Sequence, residues 1–233
     1  MKAISKQVAR IAAEYKEDTD PISAAAAISK RLFDYSVSLD EWAMSVSDLL
    51  LKRVGADDYN TWERTAAKIS RGTKAKLKDA VIGAEYSRLQ REQVELIKSL
   101  PLEAAKKVHE WTKASLSEGG RQDALAKRIR DELGGVTESR AILIARTETA
   151  RARTNFTQAR AKAVGSTHYI WHTVGDGAVR PRHAALDGKV FAWNDPPITD
   201  VGKGGAPIRS APGCVFACRC WAEPIFPKTE YDK

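Results

Sequence analysis

Long hydrophobic runs are missing from this chain of 233 residues. No stretch approaches the roughly 20 uncharged apolar residues that a membrane-spanning helix needs, so no such span is expected. Cysteine is scarce, and its three copies are an odd number; a disulfide framework is therefore not expected, and in a reducing compartment such thiols stay free or bind metal. Residues 1–18 break their apolar positions with Lys6, Arg10 and Glu14. That interruption removes a secretory-type hydrophobic segment and makes a cytosolic chain the expectation. Walker loop, dinucleotide fingerprint and HExxH are also absent, as are internal repeats and low-complexity tracts.

What the chain has is positive charge, unevenly placed. Residues 164–233 carry eight Lys/Arg and seven Asp/Glu, which leaves net +7 of the total +8 in residues 1–163. Such an excess favours nucleic acid or an acidic partner surface, though it speaks to association and not to fold.

The first part reads as helices joined by short connections. Ile4, Val8, Ile11 and Tyr15 form one stripe of a helix expected to end near Asp18. Asp20-Pro21 looks like an N-cap followed by proline in the first turn, opening a second helix to about Tyr35. Ser38 with Glu41 fits a capping box for a third helix, carrying Trp42, Val46 and Leu49, that stops near Gly55. Helices are also expected over 57–80, with Trp62, Ile69 and Leu77 buried, and over 84–99, with Leu89, Val94 and Ile97 buried. Another should open at Pro101 and end at Gly119-Gly120, and a short one should run from Gln122 to Leu133, closed by Gly134-Gly135. Thr137 is the expected N-cap of a long helix to Gly165. Its small-residue stripe of Ala141, Ala145, Thr149, Ala152, Phe156, Ala159 and Ala163 lets another backbone approach. The opposite face carries Arg140, Arg146, Arg151, Arg153, Arg160 and Lys162, of which Arg140, Arg151, Arg153 and Arg160 are candidate DNA contacts.

Past Gly165 the helical period gives way to short strand-like runs and clustered glycine and proline. Strands are expected at 168–174, 189–193 and 218–224, with a helical turn in RPRHAALDG and a long loop over 194–213. The fold class is thus a mostly helical α+β protein: an N-terminal helical region over 1–95 suited to docking on partners, then 96–233 with helices over 101–164 and a compact β-containing module over 165–233.

All three cysteines lie in GCVFACRCW. If Cys218 and Cys220 are extended, both sulfurs share one face, and Cys214 from the turn with His183 completes a candidate structural zinc site of the Cys3His kind. The competing reading is that the thiols act as small buried hydrophobes. Asp176, Arg180 and His183 form a second set. They are either an acid/base cluster for phosphodiester or acyl chemistry, or a brace in which Asp176 pairs with Arg180; His168 and His172 read as packing or surface residues.

The succession RAILIARTETARARTNFTQARAKAVG, YIWHTVGDGAVRPRHAALDGKVFAWNDPP, PG and CRCWAEP resembles head-morphogenesis (minor head) proteins of the phage Mu protein F type, from about Leu96 to Phe226. The resemblance implies a virion component, in the capsid interior or at the portal vertex, that assembles in the host cytoplasm. Its implied partners are the portal protein, other capsid or scaffold proteins and packaged DNA, and it implies no catalytic activity. By that likeness Arg146, Thr147 and Glu148 match a helix signature, Asp176, Arg180, His183, Leu186, Asp187 and Gly188 a loop signature, and Cys218 and Cys220 the terminal pair. Cys214 departs from the pattern. The alternatives are a DNA-binding accessory protein or a metal-dependent nuclease or hydrolase using Asp176, Arg180 and His183.

Overall fold

A computed structural model describes residues 2–14, 20–66, 80–118 and 122–227. Its helices are α1 (Lys2–Ala13), α2 (Pro21–Val37), α3 (Asp40–Ala66), α4 (Ala80–Ser117), α5 (Gln122–Ala163) and the one-turn α6 (Pro181–Ala184). The strands are β1 (His168–His172), β2 (Val190–Ala192), β3 (Ile198–Val201), β4 (Pro207–Arg209) and β5 (Trp221–Ile225). The protein is the expected mostly helical α+β chain with a small antiparallel module at its C-terminal end. No helix among the described residues is long and apolar enough to cross a membrane.

The chain divides into two compact units, Met1–Ser47 with Arg91–Ala145, and Asp48–Gln90 with Arg146–Lys233. Helices α3, α4 and α5 each give one part to each unit. The expected boundary at residue 95 therefore falls inside α4. Tyr15 and Asp18, Ile69 and Leu77, and Gly119-Gly120 lie outside the described residues.

In the first unit the apolar stripes meet as one core. Ile4, Val8 and Ile11 of α1 pack with Ile28 and Leu32 of α2, Ile97, Leu100 and Val108 of α4, and Ile129 and Leu133 of α5. Each such side chain, fully buried, contributes about 1.5–3 kcal/mol of transfer free energy. Asp20 caps α2 as expected, its carboxylate accepting from Ser23 N–H at 2.9 Å. Ser38 does not start α3: it closes α2, its hydroxyl donating to the Tyr35 carbonyl at 2.8 Å.

Several expected stops fail. Helix α3 runs past Gly55 to Ala66, α4 passes through Pro101, and α5 passes through Gly134-Gly135. Thr137 is consequently interior, its hydroxyl donating to the Leu133 carbonyl at 2.8 Å. Gly134 serves close approach and not termination, because a Cβ there would sit 2.8 Å from the Ala9 Cβ, whereas a Cβ on Gly135 meets nothing within 4 Å. Gly135→Ala is expected to stabilise by about 0.5–1 kcal/mol through lower backbone entropy in the unfolded chain. Gly134→Ala should instead destabilise, since α1 must shift to admit the methyl. Urea denaturation of the two variants checks this pair, and a stabilised Gly134→Ala would remove the close approach.

In the second unit Leu51 and Val54 of α3, Leu89 of α4 and Ala152 and Phe156 of α5 form a small core. Tyr86 stacks on Phe156 and donates to Asp48 at 2.6 Å. Gly165, with φ 86°, ends α5 as expected, Ser166 N–H reaching back to the Ala161 carbonyl at 2.9 Å. The terminal sheet has the order β2-β1-β5, antiparallel throughout, with Tyr169 opposite Phe191 and Trp171 opposite Ala222. Pro224 is tolerated because β5 is an edge strand. Segment 194–213, expected to be a loop, contains the β3–β4 hairpin. Tyr169, Trp171, Trp193, Val215 and Ala222 form the module's core with Ala161 and Trp62.

Candidate functional site

His183 lies on α6, whose start is set by Pro181 after the extended Arg180. The short helix turns the imidazole inward, leaving it 2% exposed. Two sulfurs face it: Cys218 Sγ lies 3.5 Å and Cys220 Sγ 3.6 Å from His183 Nδ1. The three ligating atoms all lie within 4.8 Å of one another, and all three residues are buried.

Cys218 and Cys220 lie ahead of β5, with both sulfurs turned to the same side. Strand β5 begins only at Trp221, and the preceding residues form a tight turn, with Ala217 at φ 52° and Cys218 N–H donating to the Val215 carbonyl at 3.2 Å. That conformation is uncommon for a residue with a side chain and persists only where surroundings hold it. Two contacts do so: Ala217 N–H donates to Thr147 Oγ1 at 3.1 Å, and Arg180 donates to the Phe216 carbonyl at 2.7 Å. Arg219, between the two cysteines, is gripped by both carboxylate oxygens of Asp176 at 2.5 and 2.7 Å. This corrects the expected Asp176–Arg180 pair, for Arg180 reaches Asp200 only at 4.0 Å. Asp187 accepts from Thr173 N–H at 2.7 Å, and Gly188, at φ 73°, donates to the Trp171 carbonyl at 2.8 Å.

Electrostatics separates the cysteines. Burial pushes the Cys214 thiol up to about 11, keeping it neutral. The hydrogen bond between them draws Cys218 down, while that bond together with burial pushes Cys220 well up, so the two titrate as a unit. The Arg219 guanidinium holds the exposed Asp176 carboxyl below its usual range. Cys214 stands outside the His183, Cys218 and Cys220 group, which corrects the four-ligand expectation. Asp176 and His183 are likewise engaged apart, one in an exposed ion pair and the other beside the sulfurs.

The candidate DNA contacts are placed differently from one another. Arg160 is buried, paired with Asp58 and donating to the Gly55 carbonyl at 3.3 Å, so it is withdrawn from the basic face. Arg140 is bonded to Glu103 at 2.8 Å, and Arg151 lies 3.5 Å from the buried Glu148. Arg146 and Arg153 are exposed. Sequence reasoning missed Asp58 and Arg219 as partners. Asp58 carries no local signal, since its partner is 102 positions away, whereas the place of Arg219 between the two cysteines was a signal that could have found it.

A Haemophilus influenzae protein described as uncharacterized is 34% identical over 137 residues, which cover 59% of this chain and 28% of that protein. The chain thus spans little more than a quarter of that relative's length. No solved structure matches it. Residues 106–223, more than half of the chain and including Thr147, Asp176, Arg180, His183, Cys218 and Cys220, match the family described as Phage Mu protein F like protein. A chain matched over that span, with the family-like residues gathered in one module, belongs to the phage Mu protein F-like family.

Proposed function

We infer that the protein is a structural, non-catalytic component of phage head morphogenesis. It acts in the virion, in the capsid interior or at the portal vertex, after assembling in the host cytoplasm. Its partners are the portal protein and other capsid or scaffold proteins, with packaged DNA as a further contact. Family membership over residues 106–223 is the observation that carries this reading. The use of the signature side chains supports it: Thr147 and Arg180 bind backbone and Asp176 binds Arg219. The DNA contact is supported by the net +7 of residues 1–163 and by exposed Arg146 and Arg153 on α5.

The test is co-purification of the tagged full chain with portal particles during head assembly. Retention through purification is expected, and particles that form with normal composition and never carry the chain would overturn the reading. Incubating the chain with DNA and divalent cations tests the non-catalytic part. Cleavage that disappears in His183→Ala would replace structure with catalysis. For DNA, affinity should fall steeply with salt, and Arg146→Ala with Arg153→Ala should flatten that slope by about two charges' worth.

A further inference from the structure

We propose that His183, Cys218 and Cys220 bind one zinc ion, which clamps α6 to the turn that leads into β5, with Cys214 taking no part.

The geometry is the first support. Zinc bonds of about 2.3 Å to sulfur and about 2.1 Å to nitrogen, opened to a tetrahedral angle, put ligand nitrogen and sulfur about 3.6 Å apart. His183 Nδ1 stands 3.5 and 3.6 Å from the two sulfurs. A single ring N–H can point at one sulfur and not at both, so equal spacing suits a shared ion better than a hydrogen bond. Burial is the second support. His183 Nε2 is buried without a hydrogen-bond partner, so the ring gains nothing from its other edge that would explain taking it out of water. A dication with two thiolates and a neutral imidazole sums to zero charge, which a buried site tolerates. Soft thiolates with imidazole also select zinc over calcium or magnesium.

Both ligand-bearing segments are held in place by residues that do not themselves touch the ion. Arg180 bonds the turn ahead of Cys218, Thr147 bonds the same turn from α5, and Asp176 fixes Arg219 between the two ligands. The ion would join positions 35 and 37 residues apart, a closure added to a module whose five strands are all short. No fourth His, Cys, Asp or Glu among the described residues joins the three, so the last coordination position falls to water. On binding, the thiol protons go to solvent.

Elemental analysis of the full chain, loaded with zinc and dialysed, should find one equivalent. Cobalt substituted for zinc should give a thiolate-to-metal charge-transfer band and the intense visible absorption of a four-coordinate ion. Cys218→Ser, Cys220→Ser and His183→Gln should each lose the stoichiometric ion, and Cys214→Ser should keep it. Should a ligand variant fail to fold, the cobalt spectrum of the unaltered chain still decides, as does a fall in its melting temperature when a chelator strips the ion and recovery when zinc returns. Zinc well below one equivalent after loading, a cobalt spectrum without thiolate character, or loss of metal in Cys214→Ser would each overturn the proposal.

Discussion

Arg160→Met is expected to destabilise the unit that contains it by about 3–5 kcal/mol, the cost of stranding one member of a buried ion pair. Arg160 and Asp58 are each only 5% exposed in their side chains. Asp58 also accepts from Thr157 Oγ1 at 2.5 Å, and the Tyr59 ring lies 5.6 Å from the guanidinium carbon. The methionine stem can replace the packing of the arginine, so the loss isolates the unpaired carboxylate. Burying that charge is dearer than burying the pair, since one hydroxyl does not replace a guanidinium. Replacing both partners, Arg160→Met with Asp58→Leu, should recover most of the loss because no charge is then stranded. Urea unfolding of the two variants measures the difference. A change within about 0.5 kcal/mol for Arg160→Met would put the side chain back among solvated arginines, where a DNA contact is open to it. Arg153→Ala, on an exposed residue of the same helix, is the control that should leave stability unaltered.

How much of this was legible in sequence depends on the range of the force involved. Stripes such as Ile4, Val8 and Ile11 were readable because a 3.6-residue period is written locally, and so were the Asp20-Pro21 start and the Gly165 stop, where one residue satisfies or releases the helix end. The stops at Gly55, Pro101 and Gly134-Gly135 were misread for the opposite reason. A glycine inside a helix costs about 1 kcal/mol and a proline about 3, and tertiary burial around them outweighs that. Leu100 and Ala104 beside Pro101, and Leu133 beside Gly134, are buried in the first unit's core, and Gly134 lies close against Ala9 of α1. The β3–β4 hairpin was invisible because strands of four and three residues carry too few alternations to separate from loop.

The site was half legible. Residue types and order picked out His183, Cys218 and Cys220, and the two sulfurs do face one side, toward the imidazole, although the strand itself begins only at Trp221. A left-handed Ala217 and three hydrogen-bonding side chains from elsewhere bring them together. Cys214 was included because spacing alone cannot report that its sulfur stays outside the group formed by His183, Cys218 and Cys220. Thr147 and Arg180 support the backbone of one short turn while Asp176 holds Arg219, and a module with so little regular structure depends on such contacts more than a helical core does.

The turn just before the cysteines should be the most sensitive point of the module, and Gly213→Ala tests it. Ala211 O accepts from Cys214 N–H at 3.2 Å, with Pro212 and Gly213 between them and Gly213 at φ 81°, the arrangement of a turn that demands glycine at its third position. A side chain there costs about 1–2 kcal/mol from the left-handed backbone alone. Space adds to the cost: the new Cβ would lie 2.9 Å from Thr154 Oγ1 and 3.2 Å from the carbonyl oxygens of Ala150 and Cys220. Thr154 cannot rotate away freely, since its hydroxyl donates to the Pro212 carbonyl at 2.7 Å, and the other two atoms belong to α5 and to the chain entering β5. We expect a total of about 3–4 kcal/mol, near the upper end for single substitutions. Gly205→Ala separates the two contributions, because Gly205 has φ 82° and a Cβ there meets nothing within 4 Å. That variant should lose only the backbone part. Should Gly213→Ala unfold no more easily than Gly205→Ala, the close packing of the turn on α5 is wrong. If it loses the additional amount, the Cys220 carbonyl is among the atoms forced to move, and the position of the Cys220 sulfur beside His183 depends on the absence of a methyl group seven residues earlier.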